Sequence, residues 1–356
     1  MPNAEPARIV IDGSPLRYLH TGLGQFSFHL LQELSRLSFP EARLFALVHP
    51  NVANLIPHGI SLETASWLRR HAPPGIQRYL FSRCAVWHMT TENTRITDVP
   101  AGAAVVLTIH GLHFLDEAPQ EEASRQLQNV QHLVDRASVL TVVSRFTANL
   151  VREKLNTKGK DIEVIPNGIS RSEMDSSIPA WAPSGKFLFS IGTFFARKNF
   201  HVLIPMMKFL PEFVLVLAGD TQQGYGKQVA DQVREEGMEN RILLPGEVTE
   251  AEKRWLYQQG EALVFPSVSE GFGIPLIEAF QQGKPVFCGR FGSLPEIGGN
   301  HAFYWEDFEP EQMAALVRKR LHNEPGVDTA ARVRYADQFT WEAAARAYQI
   351  IYRSLL

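Results

Sequence analysis

The stretch from Glu270 to Val286 constrains the fold of this 356-residue chain most, because it joins a strand end, a glycine turn and a helix start. Residues 263–266 form a short apolar run that predicts a strand. Gly271 and Gly273 follow, and we expect both to adopt positive φ angles. A later glycine ends the predicted helix, and another apolar run begins after it. A strand–turn–helix–strand unit of this kind predicts a parallel α/β sheet.

Two glutamates bracket the glycine turn. The free N–H groups of a helix's first turn favour an anion such as phosphate, and we expect Glu278 to lie in that turn. Because phosphate repels a carboxylate, sugar hydroxyls are the more plausible hydrogen-bond donors to Glu278. In the plainer alternative, Glu270 is a solvated loop charge and Glu278 only complements the helix dipole, which is worth ~0.3–1 kcal/mol.

These two glutamates, eight residues apart around Gly-Phe-Gly-x-Pro, resemble the E-x7-E motif of retaining GT-B glycosyltransferases. The resemblance is to glycosyltransferase family 4, the mannosyltransferase-like group 1. It implies two facing Rossmann-like, doubly wound α/β domains with a ligand cleft between them. It also implies that the motif contacts a nucleotide-sugar donor through Glu270, Gly271, Phe272, Gly273, Ile274 and Glu278.

The length of the chain and its apolar runs fit two such domains. We expect a first, acceptor-side domain over residues 1–169 and a linker over 170–185. A nucleotide-sugar-binding domain over 186–338 and a helix over 339–356 that crosses back to the first domain complete the prediction. Strands are predicted by apolar runs at residues 8–13, 44–49, 105–109, 139–143, 187–192, 213–219, 242–248 and 263–266.

Composition excludes several classes of function. Lys and Arg number 35 against 38 Asp and Glu, and a net charge of −3 gives no global field that recruits nucleic acid. No apolar run approaches the ~20 residues that span a bilayer, and the N-terminus lacks a signal-peptide core, so we expect a cytoplasmic protein. Asp-x-Asp does not occur in the sequence, so we expect neither a metal ion nor another cofactor.

A second glycine pair, Gly22 and Gly24, precedes a helix predicted over Phe26 to Leu37. The pair resembles the glycine loop that lies over the donor diphosphate in this family, which implies donor contacts from both residues. A tight packing turn is the alternative. A dinucleotide-binding loop ranks lower, because it requires a third glycine and a later acidic residue.

The segment between Thr64 and Thr90 mixes basic and aromatic residues without any acid. Such a mixture suits a membrane interface or a lipid-diphosphate acceptor, and the region from Arg69 to Arg83 is the candidate contact. An ordinary solvated surface over buried rings is the equally weighted alternative. The residues concerned are Arg69, Arg70, Arg78 and Arg83 with Trp67, Tyr79, Phe81 and Trp87.

His110 follows the buried-looking strand over 105–109, where parallel sheets place ligands. The sequence T-I-H-x-L-x-F resembles the family's strand end whose histidine approaches the donor sugar, which implies a catalytic role for His110. A histidine that only satisfies structural hydrogen bonds is the alternative.

Arg197 and Lys198 stand directly before a helix predicted over Phe200 to Leu210. Two cations oppose the helix dipole unless they hold an anion, and arginine binds phosphate bidentately. With Gly192 they resemble the family's diphosphate clamp, which implies donor-binding and catalytic roles. Two solvated loop charges are the alternative.

The nucleotide base is implied to contact the backbone near Gly246 and Val248. Between those residues and Arg197 and Lys198, the glycines of Gly224 to Gly226 predict a flexible loop. The whole resemblance implies transfer of a hexose, mannose favoured, from a GDP- or UDP-sugar to a saccharide or lipid-linked saccharide, as in polysaccharide or lipopolysaccharide assembly. A nucleotide-sugar-binding protein without turnover is the main alternative; a GT-B phosphorylase and a nicotinamide-dependent dehydrogenase lack their motifs here.

Overall fold

The computed structural model describes residues 5–19, 21–64, 71–73, 75–170, 176–323 and 329–356. The chain divides into two compact units, Met1–Ser170 with Thr340–Leu356, and Arg171–Phe339. The second unit is therefore an uninterrupted piece of chain inserted into the first. In the described part of the chain, none of the helices is both long and apolar enough to cross a bilayer.

The sheet of the first unit is parallel throughout its described strands. These are β1 Ala7–Asp12, β2 Ala42–Val48, β3 Ser61–Thr64, β4 Val86–Met89, β5 Ala104–Ile109, β6 Val139–Val142 and β7 Ile162–Val164. Their order is β3-β2-β1-β4-β5-β6-β7, so the chain reverses its direction of travel between β1 and β4. Such a reversal opens a crevice at the carboxyl ends of the two strands.

Helices cover this sheet: α1 Gly22–Arg36, α2 Phe114–Glu117, α3 Gln120–Arg136 and α4 Arg145–Lys154, with 3-10 helices at Ser14–Tyr18, Pro50–Leu55 and Gln77–Tyr79. Helix α1 begins four residues earlier than the predicted Phe26, because the Thr21 hydroxyl accepts the Gly24 amide and caps it. Gly22 and Gly24 thus lie in a first helical turn rather than in a loop. A Cβ on Gly24 would lie 2.1 Å from the carbonyl oxygen of Tyr18, so close packing requires this glycine.

The basic and aromatic residues between Thr64 and Thr90 have different surroundings in the structure. Trp67, Arg69 and Arg70 lie outside the described residues. Trp87 is buried in β4 with its ring 5.1 Å from that of Phe81, so both rings belong to the core. Arg78 pairs with the buried Asp98 at 2.8 Å. Trp87 and Phe81 are therefore the buried rings that the structural alternative expects.

The second unit holds another parallel sheet. Its described strands are β8 Phe187–Ile191, β9 Val214–Ala218, β10 Ile242–Gly246, β11 Ala262–Phe265, β12 Val286–Gly289 and β13 Phe303–Trp305. Their order is β10-β9-β8-β11-β12-β13, with the reversal between β8 and β11. The prediction of two doubly wound parallel α/β domains is confirmed.

The helices of the second unit are α5 Leu203–Met206, α6 Gly224–Glu235, α7 Glu250–Gln259, α8 Ile274–Gln281, α9 Leu294–Gly298, α10 Pro310–Arg318 and α11 Thr329–Ala336. The helix predicted over Phe200 to Leu210 is wrong as one element, because Pro205 has no N–H to donate and α5 is flanked by 3-10 helices at Phe200–Val202 and Met207–Phe209. A π-helical segment, Lys319–Asn323, follows α10. Gly224 to Gly226 form the first turn of α6 rather than a flexible loop.

The last helix, α12 Trp341–Ser354, belongs to the first unit. Its stripe of apolar residues is buried against α1; the fully or nearly fully buried members are Trp341, Ala344, Ala345, Tyr348 and Tyr352. Ile169 and Thr340 form a parallel bridge where the chain leaves the first unit and where it returns. A Cβ on Gly168 would lie 2.1 Å from the Trp341 amide, so glycine permits this approach.

Polar side chains at the interface between α12 and the sheet form hydrogen bonds with one another. His88 Nδ1 lies 2.6 Å from Tyr352 Oη, and His88 Nε2 lies 2.8 Å from Thr108 Oγ1. Tyr348 Oη lies 2.9 Å from Thr108 Oγ1 and 3.3 Å from Thr141 Oγ1. The helix is therefore held on the sheet by hydrogen bonds as well as by apolar contact.

Candidate functional site

The chain reversal of the second sheet carries the densest group of predicted site residues. Arg197 and Lys198 form a 3-10 helix with Ala196 after β8, and Glu270 follows β11. Because β8 and β11 are neighbours, their carboxyl ends meet at one point of the sheet edge. That point is where open α/β sheets bind ligands.

Glu270 is the centre of this group. Lys198 Nζ lies 2.6 Å from Glu270 Oε1, and Arg197 Nη1 lies 3.9 Å from the same oxygen. Ser267 donates its hydroxyl to that oxygen at 2.7 Å. Lys198 and Glu270 are only 8% and 7% exposed, so these charges are largely withdrawn from water. The solvated-charge alternative for Glu270, Arg197 and Lys198 is therefore wrong.

Burial by itself would raise the pKa of Glu270. The charges of Lys198 and Arg197 outweigh burial and hold this pKa at about 2. Glu270 is thus ionised at neutral pH, and the three side chains together carry one net positive charge. A negatively charged ligand would therefore be attracted to the group.

Backbone contacts fix the position of Glu270. Val268 donates its amide to the Arg197 carbonyl at 2.8 Å, which ties the strand end after β11 to the loop after β8. Ser293 donates its amide to the Glu270 carbonyl at 3.0 Å. Gly292 has φ +60°, and a Cβ there would lie 2.8 Å from the Glu270 backbone. Three segments of backbone thus meet at Glu270.

The glycine turn differs in one respect from the expectation. Gly273 has φ +100° and directly precedes α8, but Gly271 does not adopt a positive φ. Phe272 is buried, and Ile274 is the first residue of the helix. The turn needs one left-handed residue, and Gly273 supplies it.

The expectation that Glu278 lies in the first turn of α8 is wrong, because the helix begins at Ile274 and Glu278 is its fifth residue. Its carboxylate faces α7, where Lys253 Nζ lies 2.6 Å from Oε1 and Tyr257 donates to Oε2 at 2.7 Å. Burial would lower the pKa of Lys253, but Glu278 and Glu250 raise it above its ordinary value. The sequence did not reveal these partners, since a lysine and a tyrosine on one helix face form no motif.

Two other predicted donor residues lie near these strand ends. Gly192 has φ +147°, and a Cβ there would lie 3.8 Å from Lys198 Cε. Gly246 ends β10 with φ +83°, and its carbonyl accepts the Gly219 amide at 2.8 Å. Val248 is partly buried in the loop before α7. These residues share the carboxyl edge of the sheet with Glu270.

In the first unit, His110 follows β5 and is enclosed by polar and aromatic groups. Its Nε2 donates to the Thr90 carbonyl at 2.9 Å, and its ring lies 4.6 Å from the Phe26 ring. Burial lowers the pKa of His110 to about 4, so the ring is neutral at pH 7. With Nε2 protonated, Nδ1 of the neutral ring is an acceptor.

Glu92 is a buried carboxylate beside His110 that sequence reasoning missed. Its Oε2 accepts the His110 amide at 3.0 Å, and burial raises the pKa of Glu92 to about 7. Asp12 lies across the chain reversal, where Thr94 donates to its Oδ2 at 2.7 Å. The available signal was the position of Glu92 just after β4, but that strand is short and was not predicted.

Comparison with known families agrees with this arrangement of strands and site residues. Residues 173–338 match the model for glycosyl transferases group 1, and residues 60–173 match the model for glycosyltransferase family 4. The chain carries GT-B glycosyltransferase domains of these two kinds. The residues around Glu270 and Glu278 lie in the group 1 domain, and His110 lies in the family 4 domain.

Known relatives and solved structures are similar to this chain over nearly its whole length. O-antigen chain mannosyltransferase B of Escherichia coli is 25% identical over 374 residues, which is 94% of this chain and 96% of the relative. Sucrose-phosphate synthase of Thermosynechococcus elongatus superposes with a TM-score of 0.77 at 17% identity, covering 98% of this chain and 99% of that one. HepE of Anabaena, solved with UDP and glucose, gives a TM-score of 0.75 at 17% identity over 98% of this chain and 100% of that one.

Proposed function

We propose that this glycosyltransferase moves a hexose, mannose favoured, from a nucleoside-diphosphate sugar to a saccharide or lipid-linked saccharide, with retention of anomeric configuration. The observation that carries the proposal is the buried group of Arg197, Lys198 and Glu270 at the chain reversal of the second sheet. Similarity to an O-antigen mannosyltransferase supports mannose and polysaccharide assembly. Similarity to a protein solved with UDP supports a nucleotide donor.

The chemistry follows from the charges. Breaking the glycosidic bond leaves negative charge on the diphosphate, and fixed cations stabilise such charge where it develops. We assign this role to Arg197 and Lys198, and the holding of the sugar to Glu270 and the adjoining amides. Glu278 is assigned to the ribose, and His110 to the donor sugar. Attack comes from the face that the diphosphate leaves, and that diphosphate accepts the acceptor's proton.

Nucleotide-sugar screening by thermal unfolding tests donor binding. A ligand at about 100 times its dissociation constant adds about 2.7 kcal/mol of stability, so GDP- and UDP-sugars are readily compared. Transfer to a saccharide is then followed by NMR, and an α-linked product from an α-linked donor shows retention. No stabilisation by any nucleotide sugar contradicts the proposal. Stabilisation without transfer or hydrolysis supports the alternative of a binding protein without turnover.

Two glutamine variants separate the proposed roles of the glutamates. Glu278→Gln should weaken binding of the nucleoside diphosphate alone, because an amide accepts hydrogen bonds more weakly than a carboxylate. Glu270→Gln should act mainly on turnover of the intact donor. Calorimetry and initial rates measure the two effects. If both variants bind and turn over the donor as the parent does, the two glutamates have no role in the proposed site.

Metal independence is also proposed, because the sequence lacks Asp-x-Asp and the cations of Arg197 and Lys198 can neutralise the leaving group. Activity should survive EDTA. Loss of activity on chelation, with recovery on adding manganese or magnesium, contradicts this assignment.

We further propose a cytoplasmic enzyme that meets the membrane through the loop near residue 76. Ile76 and Tyr79 are 53% and 80% exposed, and the exposed Arg83 follows them. Apolar tips beside a cation suit an anionic lipid surface. Co-sedimentation with anionic vesicles should fall when Ile76 and Tyr79 are replaced by serine. Equal sedimentation of the parent and this variant would place the contact elsewhere.

A further inference from the structure

Two side chains of α7 hold both carboxylate oxygens of Glu278. Lys253 Nζ lies 2.6 Å from Oε1, and the Tyr257 hydroxyl donates to Oε2 at 2.7 Å. Lys253 and Tyr257 are four residues apart and therefore lie on one face of α7. Each carboxylate oxygen thus has one fixed partner, and the two contacts together fix the orientation of the carboxylate plane.

The lone pairs of Glu278 are only half used. A carboxylate has about four acceptor positions, two on each oxygen. Lys253 takes one on Oε1 and Tyr257 takes one on Oε2, so each oxygen keeps one. The Glu278 side chain is 19% exposed, so part of it is open to a ligand. Two remaining acceptors, one on each oxygen, match the two hydroxyl donors of a cis diol.

The two partners are themselves held in place. Tyr257 is 3% exposed, and its ring packs edge-on against Phe189 of β8 at 5.0 Å. The Lys253 side chain is only 25% exposed and also lies 3.8 Å from Glu250. A buried hydroxyl and a paired ammonium hold a fixed geometry better than two mobile surface groups.

We propose that Lys253 and Tyr257 are positioning residues that aim the carboxylate of Glu278 at the ribose diol of the donor nucleotide. This inference rests on the proposed function, since it takes Glu278 as the ribose acceptor. It adds the reason why this helix, which follows the loop assigned to the base, contributes to recognition of ribose. A tie that only joins α7 to α8 would instead affect stability and leave ribose recognition unchanged.

Calorimetry with GDP, UDP and the 2′-deoxy and 3′-deoxy forms of the tighter ligand tests the proposal. The parent should prefer the ribonucleotide by roughly ten- to a hundredfold, as expected for a hydrogen bond to a charged acceptor. Lys253→Met and Tyr257→Phe should reduce this preference to within about threefold, while the affinity for the deoxy forms stays near the parental value. Lys253→Arg should retain most of the preference.

A matched control is Lys208→Met, which removes a lysine that pairs with Glu236 at 2.9 Å in the same unit. This variant should keep the parental preference. Tyr257→Phe removes a single oxygen atom and provides the test if Lys253→Met does not fold.

The outcomes separate this inference from the proposed function. If the preference disappears in Glu278→Gln but persists in Lys253→Met and Tyr257→Phe, the positioning role is overturned while the ribose role of Glu278 stands. If the parent shows no preference, or Glu278→Gln keeps it, the ribose role itself fails and the inference fails with it. Failure of the parent to bind either nucleotide overturns the proposed function.

Discussion

At the scale of residues, Arg197 offers the cleanest test of the cation group. Arg197→Ala removes a charge 3.9 Å from Glu270 Oε1 while leaving the closer Lys198 pair intact. We expect nucleoside-diphosphate binding to weaken by about 1.5–3 kcal/mol, the range for hydrogen bonds to charged groups. Calorimetry measures the loss, with Lys208→Met as the control. Unchanged affinity in Arg197→Ala would exclude it from the diphosphate site.

The pH dependence of stability tests the burial of Glu92. Burial raises the pKa of Glu92 from 4.5 to about 7, so the folded chain binds this proton more tightly than the unfolded chain. The stabilising contribution is full below about pH 4.5 and is lost as pH rises to about 7. The free energy of unfolding of Glu92→Gln should therefore rise relative to that of the parent by roughly 3 kcal/mol between pH 4 and pH 8. Melting curves of both proteins across this range measure the gain, and parallel curves would contradict it.

The sequence predicted Arg197 and Lys198 as a cation pair before a helix, and Glu270 as part of the E-x7-E resemblance. The structure brings the three together because β8 and β11 are neighbouring strands. Sequence patterns did not predict the surroundings of Glu278. Its place in the second turn depends on where α8 begins, and its partner Lys253 comes from a helix whose contacts no local pattern specifies. Pairing across elements is a tertiary property, so spacing along the chain does not reveal it.

At the scale of elements, α12 is docked by a buried network that one variant isolates. Tyr348→Phe removes the hydroxyl that lies 2.9 Å from Thr108 Oγ1 and keeps the ring. We expect a loss of about 1–2 kcal/mol in the free energy of unfolding, because buried polar partners lose a hydrogen bond. Urea unfolding measures it. Ile350→Ala on the exposed side of α12 is the control, and equal losses in both variants would argue against the network.

The predicted elements differ in accuracy for a physical reason. Long apolar runs such as those of β5 and β9 were located to within a residue or two. The short strands β3, β4, β7 and β13, of three or four residues, were missed, although the equally short β6 and β11 were predicted from their runs of apolar residues. Their place in the sheet depends on neighbours that pair with them.

At the scale of the whole molecule, the first unit needs both ends of the chain. A chain that stops at Phe339 lacks α12 and with it the buried rings of Trp341, Tyr348 and Tyr352. We expect its second unit to keep slow amide exchange, while the strands of the first unit exchange faster because one sheet face loses part of its cover. Hydrogen exchange with mass spectrometry measures both. Parental protection of β1 and β5 in the shortened chain would contradict the expectation.

The insertion of the second unit between Ser170 and Thr340 also sets an order in time during synthesis. Residues 340–356 leave the ribosome after the whole of Arg171–Phe339, which takes roughly 10–30 s at ~5–20 residues per second. Throughout that interval the enclosing unit is incomplete, because α12 has not yet been made. Until α12 is made, His88 and Thr108 lack their tyrosine partners, and the apolar sheet face around them is not covered by this helix. Nascent-chain chaperones should therefore bind the part of this protein that is made first.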